Sequence, residues 1–198
     1  DPARVLIVPT AAVTGPVKAA NDGVAHFGNL GADAGRLMVL DKSQANDAAL
    51  IQPSRGAGVV YFTGGSPDHL LDTLRGSELL KSILAAVAGG AVLAGSSAGA
   101  MVMGSLMRRP GGGEWVAALG IVPGVAVLPH HEKSDPAETS RRLREQVSGD
   151  LTVLGIDART GCLGRPGNWR VVGYGNVTVY RGADWLVYGS GERLPSNV

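Results

Sequence analysis

The chain has 198 residues, 44% of them hydrophobic, with 18 lysines and arginines against 17 carboxylates and a formal net charge of +1. That length and apolar content suffice for one compact domain, expected to span residues 1–198, and the balanced charge gives no electrostatic case for nucleic acid or an anionic membrane. The lone Cys162 excludes an internal disulfide, no Cys/His spacing resembles a zinc site, and no apolar run reaches the roughly 18 residues of a membrane span. A small-molecule or peptide substrate fits this composition best. The single thiol favours a reducing, cytoplasmic setting, while a start at Asp1 without methionine leaves a removed leader open.

Residues 4–9 (RVLIVP) form a continuous apolar run ending in a loop, the pattern of a strand buried on both faces of a parallel sheet. Residues 17–30 follow with helical spacing. Residues 37–40 (LMVL), 58–62 (GVVYF) and 91–94 (AVLA) repeat the short apolar type, with helices predicted over 68–74 and 77–88. Strands alternating with helices argue for a doubly wound, mostly parallel α/β sheet flanked by helices. A further strand at 125–128 precedes a polar helix over 135–147. Beyond it the texture changes: 151–156, 171–172, 177–180 and 185–188 are short, β-rich and separated by glycines, which predicts antiparallel strands in the last third.

In an open α/β sheet, sites form beyond the carboxyl ends of the strands. Gly95-Ser96-Ser97-Ala98-Gly99 lies there, between a predicted strand and a predicted helix, and satisfies G-x-S-x-G. A serine held on a sharp strand-to-helix turn needs neighbours without bulk on either side. The Ser97 hydroxyl would project from such a turn, with the Ala98 N–H and the helix N-terminus placed for a developing oxyanion. A Gly/Ala/Ser-rich joint also suits close strand–helix packing, so the pattern alone leaves both readings open.

A serine nucleophile needs a base, and the chain has four histidines. His26 falls in a helix-like stretch and reads as a packing or surface residue. His69 falls in the first turn of a predicted helix and reads the same way, although it follows Gly64-Gly65-Ser66-Pro67. His130-His131 directly follows a predicted buried strand, on the rim where the elbow is expected. An α/β-hydrolase places its histidine after its acid, late in the chain, but no histidine follows His131. That class is disfavoured, and a base one strand later, at His130, is left open.

Four motifs, in this order, carry a resemblance spanning most of the chain: Tyr61-Phe62-Thr63-Gly64-Gly65, Gly95-Ser96-Ser97-Ala98-Gly99-Ala100, Pro129-His130 and Gly155-Ile156-Asp157. Together they resemble the serine peptidases that include cyanophycinase and aspartyl dipeptidase, on a class I glutamine amidotransferase-like fold. The resemblance implies Ser97 as nucleophile, His130 as its base, and an oxyanion hole from the N–H groups of Gly65 and Ala98. Gly64, Ser66 and His131 fall at substrate-binding positions, His131 where the family usually has an aromatic residue. No metal or cofactor is needed for that chemistry. A glycine-rich strand ahead of Asp1 is also implied, so a missing N-terminal segment is an expectation, and a homodimer is left open.

The sequence departs from the family in its acid and its specificity residues. Cyanophycinase-like members carry a glutamate after the Gly-Ile-Asp motif, where this chain has Ala158; aspartyl dipeptidase takes its acid from the loop after the nucleophile helix, where this chain has Glu114. Glu114 and Asp157 are therefore the two candidate acids, with Glu132 another carboxylate nearby in sequence. Arginines do not closely follow His130, and Ser66 stands where aspartyl dipeptidase has asparagine, so neither named substrate is supported. Arg141, Arg142 and Arg144 read as the solvated face of a polar helix. The expectation is serine-dependent hydrolysis of a small peptide or amide through an acyl-enzyme. A catalytically degenerate member that binds a ligand or partner, or an esterase differing only in leaving group, are the rivals.

Overall fold

A computed structural model describes residues 4–147 and 150–198. The chain divides into two compact units, Asp1–Ala100 and Met101–Val198.

The first unit is built on a parallel sheet. Its elements are β1 (Arg4–Val8), α1 (Pro16–Asn29), β2 (Asp33–Arg36), the short α2 (Ala48–Ile51), β3 (Val59–Phe62), α3 (Pro67–Leu74), α4 (Glu78–Ala88) and β4 (Val92–Gly95). The strands pair in the order β2-β1-β3-β4, all parallel, with Val8 opposite Phe62 and Phe62 opposite Gly95. β1 is covered on both faces, Val5 to Val8 being at most 3% exposed, as its unbroken apolar run requires. One face receives α1: Gly23 sits so close to Ile7 that an added Cβ would lie 2.9 Å from its Cγ2, and Phe27 meets the Tyr61 ring edge-on at 5.3 Å. Leu70, Leu71 and Leu74 of α3 and Leu79 and Ile83 of α4 are buried, each stabilising the unit by roughly 1.5–3 kcal/mol. Ser66 caps α3 and Ser77 caps α4 through side-chain oxygens on the His69 and Leu80 N–H groups.

Residues 37–40, expected as a strand, form no ladder: β2 lies just before them at Asp33–Arg36. The apolar run is still buried at Leu37 and Val39, and Leu37 donates to Ile7 O, but Val39 N–H turns back to Leu37 O and ends the pairing. The helix expected after the elbow is one turn only, α5 (Ala98–Met101), where the first unit passes into the second.

The second unit contains a hairpin of β5 (Leu106–Arg108) and β6 (Trp115–Ala117), then β7 (Val125–Pro129), α6 (Pro136–Gln146), β8 (Thr152–Ile156), β9 (Thr160–Arg165), β10 (Asn168–Gly173), β11 (Val177–Arg181) and β12 (Asp184–Tyr188). β7 and β8 are parallel; β11 joins β8 and β12 joins β11, both antiparallel, while β9 and β10 pair as a separate antiparallel hairpin. Alternate residues bury opposite faces. Val125, Leu154 and Val179 enter one cluster with Val171, Leu194 and Val198, while Ala126, Val153 and Tyr180 enter the other with Leu143 of α6. Asp135 caps α6 on the Glu138 N–H, Pro136 starts it, and Arg142 on its exposed face pairs with Glu138 at 2.7 Å. The chain is thus mixed α/β with a parallel sheet, flanking helices and antiparallel strands towards its end. Among the described residues no helix is long and apolar enough to cross a membrane.

Candidate active site

In the order β2-β1-β3-β4 the chain leaves β1 to one side for β2 and then crosses to its other side for β3, and the crevice beyond the carboxyl ends at such a switch in strand order is where open α/β sheets bind ligands. Two loops meet there. Thr63 N–H donates to Val8 O, and Ser66 N–H donates to Ala11 O at 2.7 Å, so the loop after β3 is pinned onto the loop after β1. Gly65, at φ 138°, passes so close to that loop that an added Cβ would lie 2.0 Å from Ala11 O. Only glycine fits. Ser66 spends its hydroxyl on the α3 cap, and His69 is tied through Nε2 to Leu40 O at 2.7 Å. Thr63 Oγ1 is buried there without a hydrogen-bond partner among the described residues.

β4 delivers the serine. Ser96 N–H still pairs with Phe62 O, and then Ser97 turns at φ 48°, a left-handed conformation that costs an L-residue roughly 1–2 kcal/mol. The turn folds back on itself: Cβ atoms would stand 2.5 Å from Gly99 C at Gly95 and 2.5 Å from Phe62 O at Gly99. Gly64 faces the serine directly, its would-be Cβ lying 3.2 Å from Ser97 Cβ and 3.8 Å from Oγ. Gly64, Gly95 and Gly99 therefore make the room that a serine on this turn needs, and the turn is tightly wrapped with a left-handed Ser97 at its centre.

In the second unit, β7 ends at Pro129 and the chain turns at His130, also left-handed at φ 57° and exposed. Arg159 is the third non-glycine residue with positive φ among the described residues, so two of three such positions are the expected nucleophile and base. Strain of this kind concentrates at functional sites.

His131 points inward. Its N–H donates to Ile156 O, its ring is 5% exposed, and Nε2 lies 2.6 Å from the Tyr180 hydroxyl. Gly155 leaves the space, since a Cβ there would come within 2.4 Å of the ring. Burial holds the imidazole pKa below its ordinary 6.5, against the opposing pull of Asp157 and then Glu132, so the buried ring favours its neutral form. Expected as a substrate-binding side chain, His131 instead braces the end of β7 against β8 and β11.

The carboxylates are distributed as follows. Glu114 lies on the exposed β5–β6 hairpin and pairs with Arg109 at 2.6 Å. Asp157 accepts the Asn176 N–H at 2.8 Å, and its own N–H donates to Asn176 O, which fastens the β8–β9 turn to the β10–β11 turn. Glu132 accepts the Ala158 N–H at 2.9 Å. Its carboxyl is held below the ordinary carboxylate range by the backbone N–H groups of Glu132 and Ala158, with the charges of His130 and Lys133 acting the same way. Cys162 packs beside the second unit's core, and burial pushes its thiol up to about 11, which suits an inert core residue. Among the described residues no group of three or more His, Cys, Asp and Glu is gathered to hold a metal ion. The bonds of Glu132 and Tyr180 had no local sequence signal, since their partners lie 26 and 49 residues away.

Residues 1–163 match peptidase family S51. The chain belongs to that family. It is 29% identical over 167 residues to cyanophycinases of Trichormus variabilis and of a Nostoc species, covering 77% of this chain and 55% of theirs; it thus spans about half the length of these curated relatives. Among solved structures, a peptidase from an acI-B1 Actinobacterium superposes with a TM-score of 0.83 at 28% identity, over 97% of this chain and 83% of that one. A putative peptidase E protein from Listeria monocytogenes superposes with a TM-score of 0.56 at 20% identity, over 97% and 86%, a likeness of fold alone. The S51 match takes in the elbow, the Gly64-Gly65 loop and His130, and ends within β9.

Proposed function

We propose that this S51 member is a serine-dependent peptidase or amidase acting on a small peptide or amide, on a class I glutamine amidotransferase-like fold. Ser97 Oγ attacks the substrate carbonyl as His130 takes its proton; the Gly65 and Ala98 N–H groups hold the tetrahedral oxyanion. His130 then returns the proton to the leaving amine. Water, activated by the same imidazole, releases the acyl group and restores the serine.

The observation that carries this reading is the left-handed Ser97 wrapped by Gly64, Gly95 and Gly99. A packing joint needs the glycines but has no use for a strained serine among them. The relatives named cyanophycinase and peptidase support peptide-bond chemistry, and the substrate itself is left at the level of a small peptide or amide.

Covalent labelling by a fluorophosphonate probe tests the assignment without a known substrate. The wild-type chain is expected to label, and Ser97→Ala and His130→Ala to lose labelling while melting normally. A Ser97→Ala chain that still labels sinks the assignment, and a wild-type chain that never labels favours the binding-protein rival. Parallel peptide and ester assays separate a peptidase from an esterase.

A further inference from the structure

The second unit holds a cavity of about 180 Å³ between α6 and the β8–β11 strand pair. Leu143 and Val147 from α6, Leu151 just before β8, Val153 within it and Tyr180 of β11 form its walls, and all but Val147 are at most 8% exposed. The one polar atom among these side chains, the Tyr180 hydroxyl, is already engaged by His131 Nε2 at 2.6 Å. The Ser140 hydroxyl donates to Ala183 O at 3.2 Å and so fixes α6 against the β11–β12 turn, which makes the space part of the packing. Protein interiors leave few voids larger than a water molecule. An apolar cavity of about 150 Å³ stays dry and takes up a guest the size of benzene.

The exposed rim carries charge of one sign. Arg144, in the last turn of α6, and Arg181, at the end of β11, line the cavity and are exposed, and no carboxylate lines it. Neither arginine makes an ion pair among the described residues, although Arg142 on the same helix pairs with Glu138 and Arg181 stands opposite Asp184 in the strand register. The carbonyls that end α6 carry about half a negative charge, which a cation in the last turn complements. That accounts for one arginine, and two whole positive charges outweigh it.

We propose that this cavity is a binding site for a small apolar monocarboxylate, an acid of about six carbons, with its chain against Val153 and the Tyr180 ring and its carboxylate at Arg144 and Arg181. The orientation follows from the walls: they offer a carboxylate no hydrogen bond, and burying one unpaired is prohibitive. An amino acid fits less well, since its ammonium would stand beside the arginines. The site lies within the second unit and is independent of the Ser97–His130 reading.

The test is a titration of the isotope-labelled full chain with hexanoate at low salt, followed by backbone amide shifts. Saturable shifts that include the Val153 and Tyr180 amides are expected, with a Kd on the order of 1 mM for so small a ligand. Hexanamide, the same chain without the charge, should bind about tenfold more weakly, and about 0.5 M NaCl should weaken hexanoate alone. Arg144→Gln combined with Arg181→Gln, both on the surface, should weaken hexanoate about tenfold, leave hexanamide unchanged and keep the melting temperature. Val147→Phe fills the cavity from α6 and should end binding of both. No saturable shift up to about 20 mM overturns the proposal, as do shifts that leave Val153 and Tyr180 unmoved, or hexanoate binding undiminished in Val147→Phe. Hexanamide binding as tightly as hexanoate, or the double arginine variant binding hexanoate as wild type does, refutes recognition of the carboxylate. Those two comparisons decide the matter even where Val147→Phe does not fold.

Discussion

Replacing Ser97 by glycine should make the protein more stable than replacing it by alanine, although both changes remove the hydroxyl and both should end labelling. At φ 48° the Cβ of an L-residue crowds its own backbone, a cost of roughly 1–2 kcal/mol that alanine shares with serine and glycine escapes. Glycine loses more backbone freedom on folding, which returns roughly 0.5–1 kcal/mol. Gly64 presents no side chain to Ser97, so deleting the Cβ forfeits little packing. The net is about 1 kcal/mol in favour of glycine, which for a chain of this length raises the melting temperature by about 2–4 °C over the alanine variant. Thermal unfolding of the two variants under identical buffer measures it. Because the lost hydroxyl is common to both, its interactions cancel from the difference. A glycine variant melting at or below the alanine variant would show that position 97 stores no strain, and would remove the physical basis for reading this turn as a nucleophile elbow.

Two further outcomes are expected. Gly99→Ala drives a Cβ to within 2.5 Å of Phe62 O and should cost about 1–3 kcal/mol and abolish labelling, whereas Gly28→Ala, with nothing within 4 Å, should be neutral or slightly stabilising; equal melting temperatures for the two would refute the close strand–turn packing. For His131 the folded pKa lies below the ordinary 6.5, so between those values the unfolded chain binds more protons, and this contribution to stability is complete above about pH 6.5 and lost as pH falls from there. Wild type should therefore lose melting temperature between pH 7 and 5.5 more steeply than His131→Phe, and parallel curves would refute the buried neutral imidazole.

The elements that could be read from the sequence are those whose cause is local. Residues 5–8 had to be a doubly covered strand because every position is apolar, and Asp135-Pro136 had to open a helix because the cap and the pre-set φ are adjacent in the chain. β2 went elsewhere because a parallel edge strand is held by its neighbour's backbone: Asp33 to Arg36 carry no strand signal, and their register against Arg4 to Ile7 is a property of β1. β9 was missed for a related reason. Its glycines argue against a strand, but Gly164 is needed where β10 passes so close that a Cβ would meet Asn168 O at 2.1 Å.

The site divides along the same line, and the division bears on the acid. The serine was legible because its constraints recur at positions 95, 97 and 99, within one turn, and Gly64 and His130 were legible as the ends of predicted strands. The acid expected behind the histidine was not legible, and a physical asymmetry explains why. A nucleophile and its base must meet within a few tenths of an ångström, since a hydrogen bond fails steeply with distance and angle. A charge that stabilises an imidazolium acts through a Coulomb term falling only as the inverse of distance, so several places on the rim can supply it. A family with a fixed serine and histidine can then lose the carboxylate at one position and take it from another without rebuilding the elbow. In this chain alanine stands at position 158, and the carboxylates beside it, Glu132 and Asp157, are held by the backbone N–H groups of Ala158 and Asn176. If Glu114→Gln, Glu132→Gln and Asp157→Asn each slow fluorophosphonate labelling only in part, the acid is specified by location rather than by residue and no single-position motif could have found it; one variant that alone abolishes labelling refutes that argument.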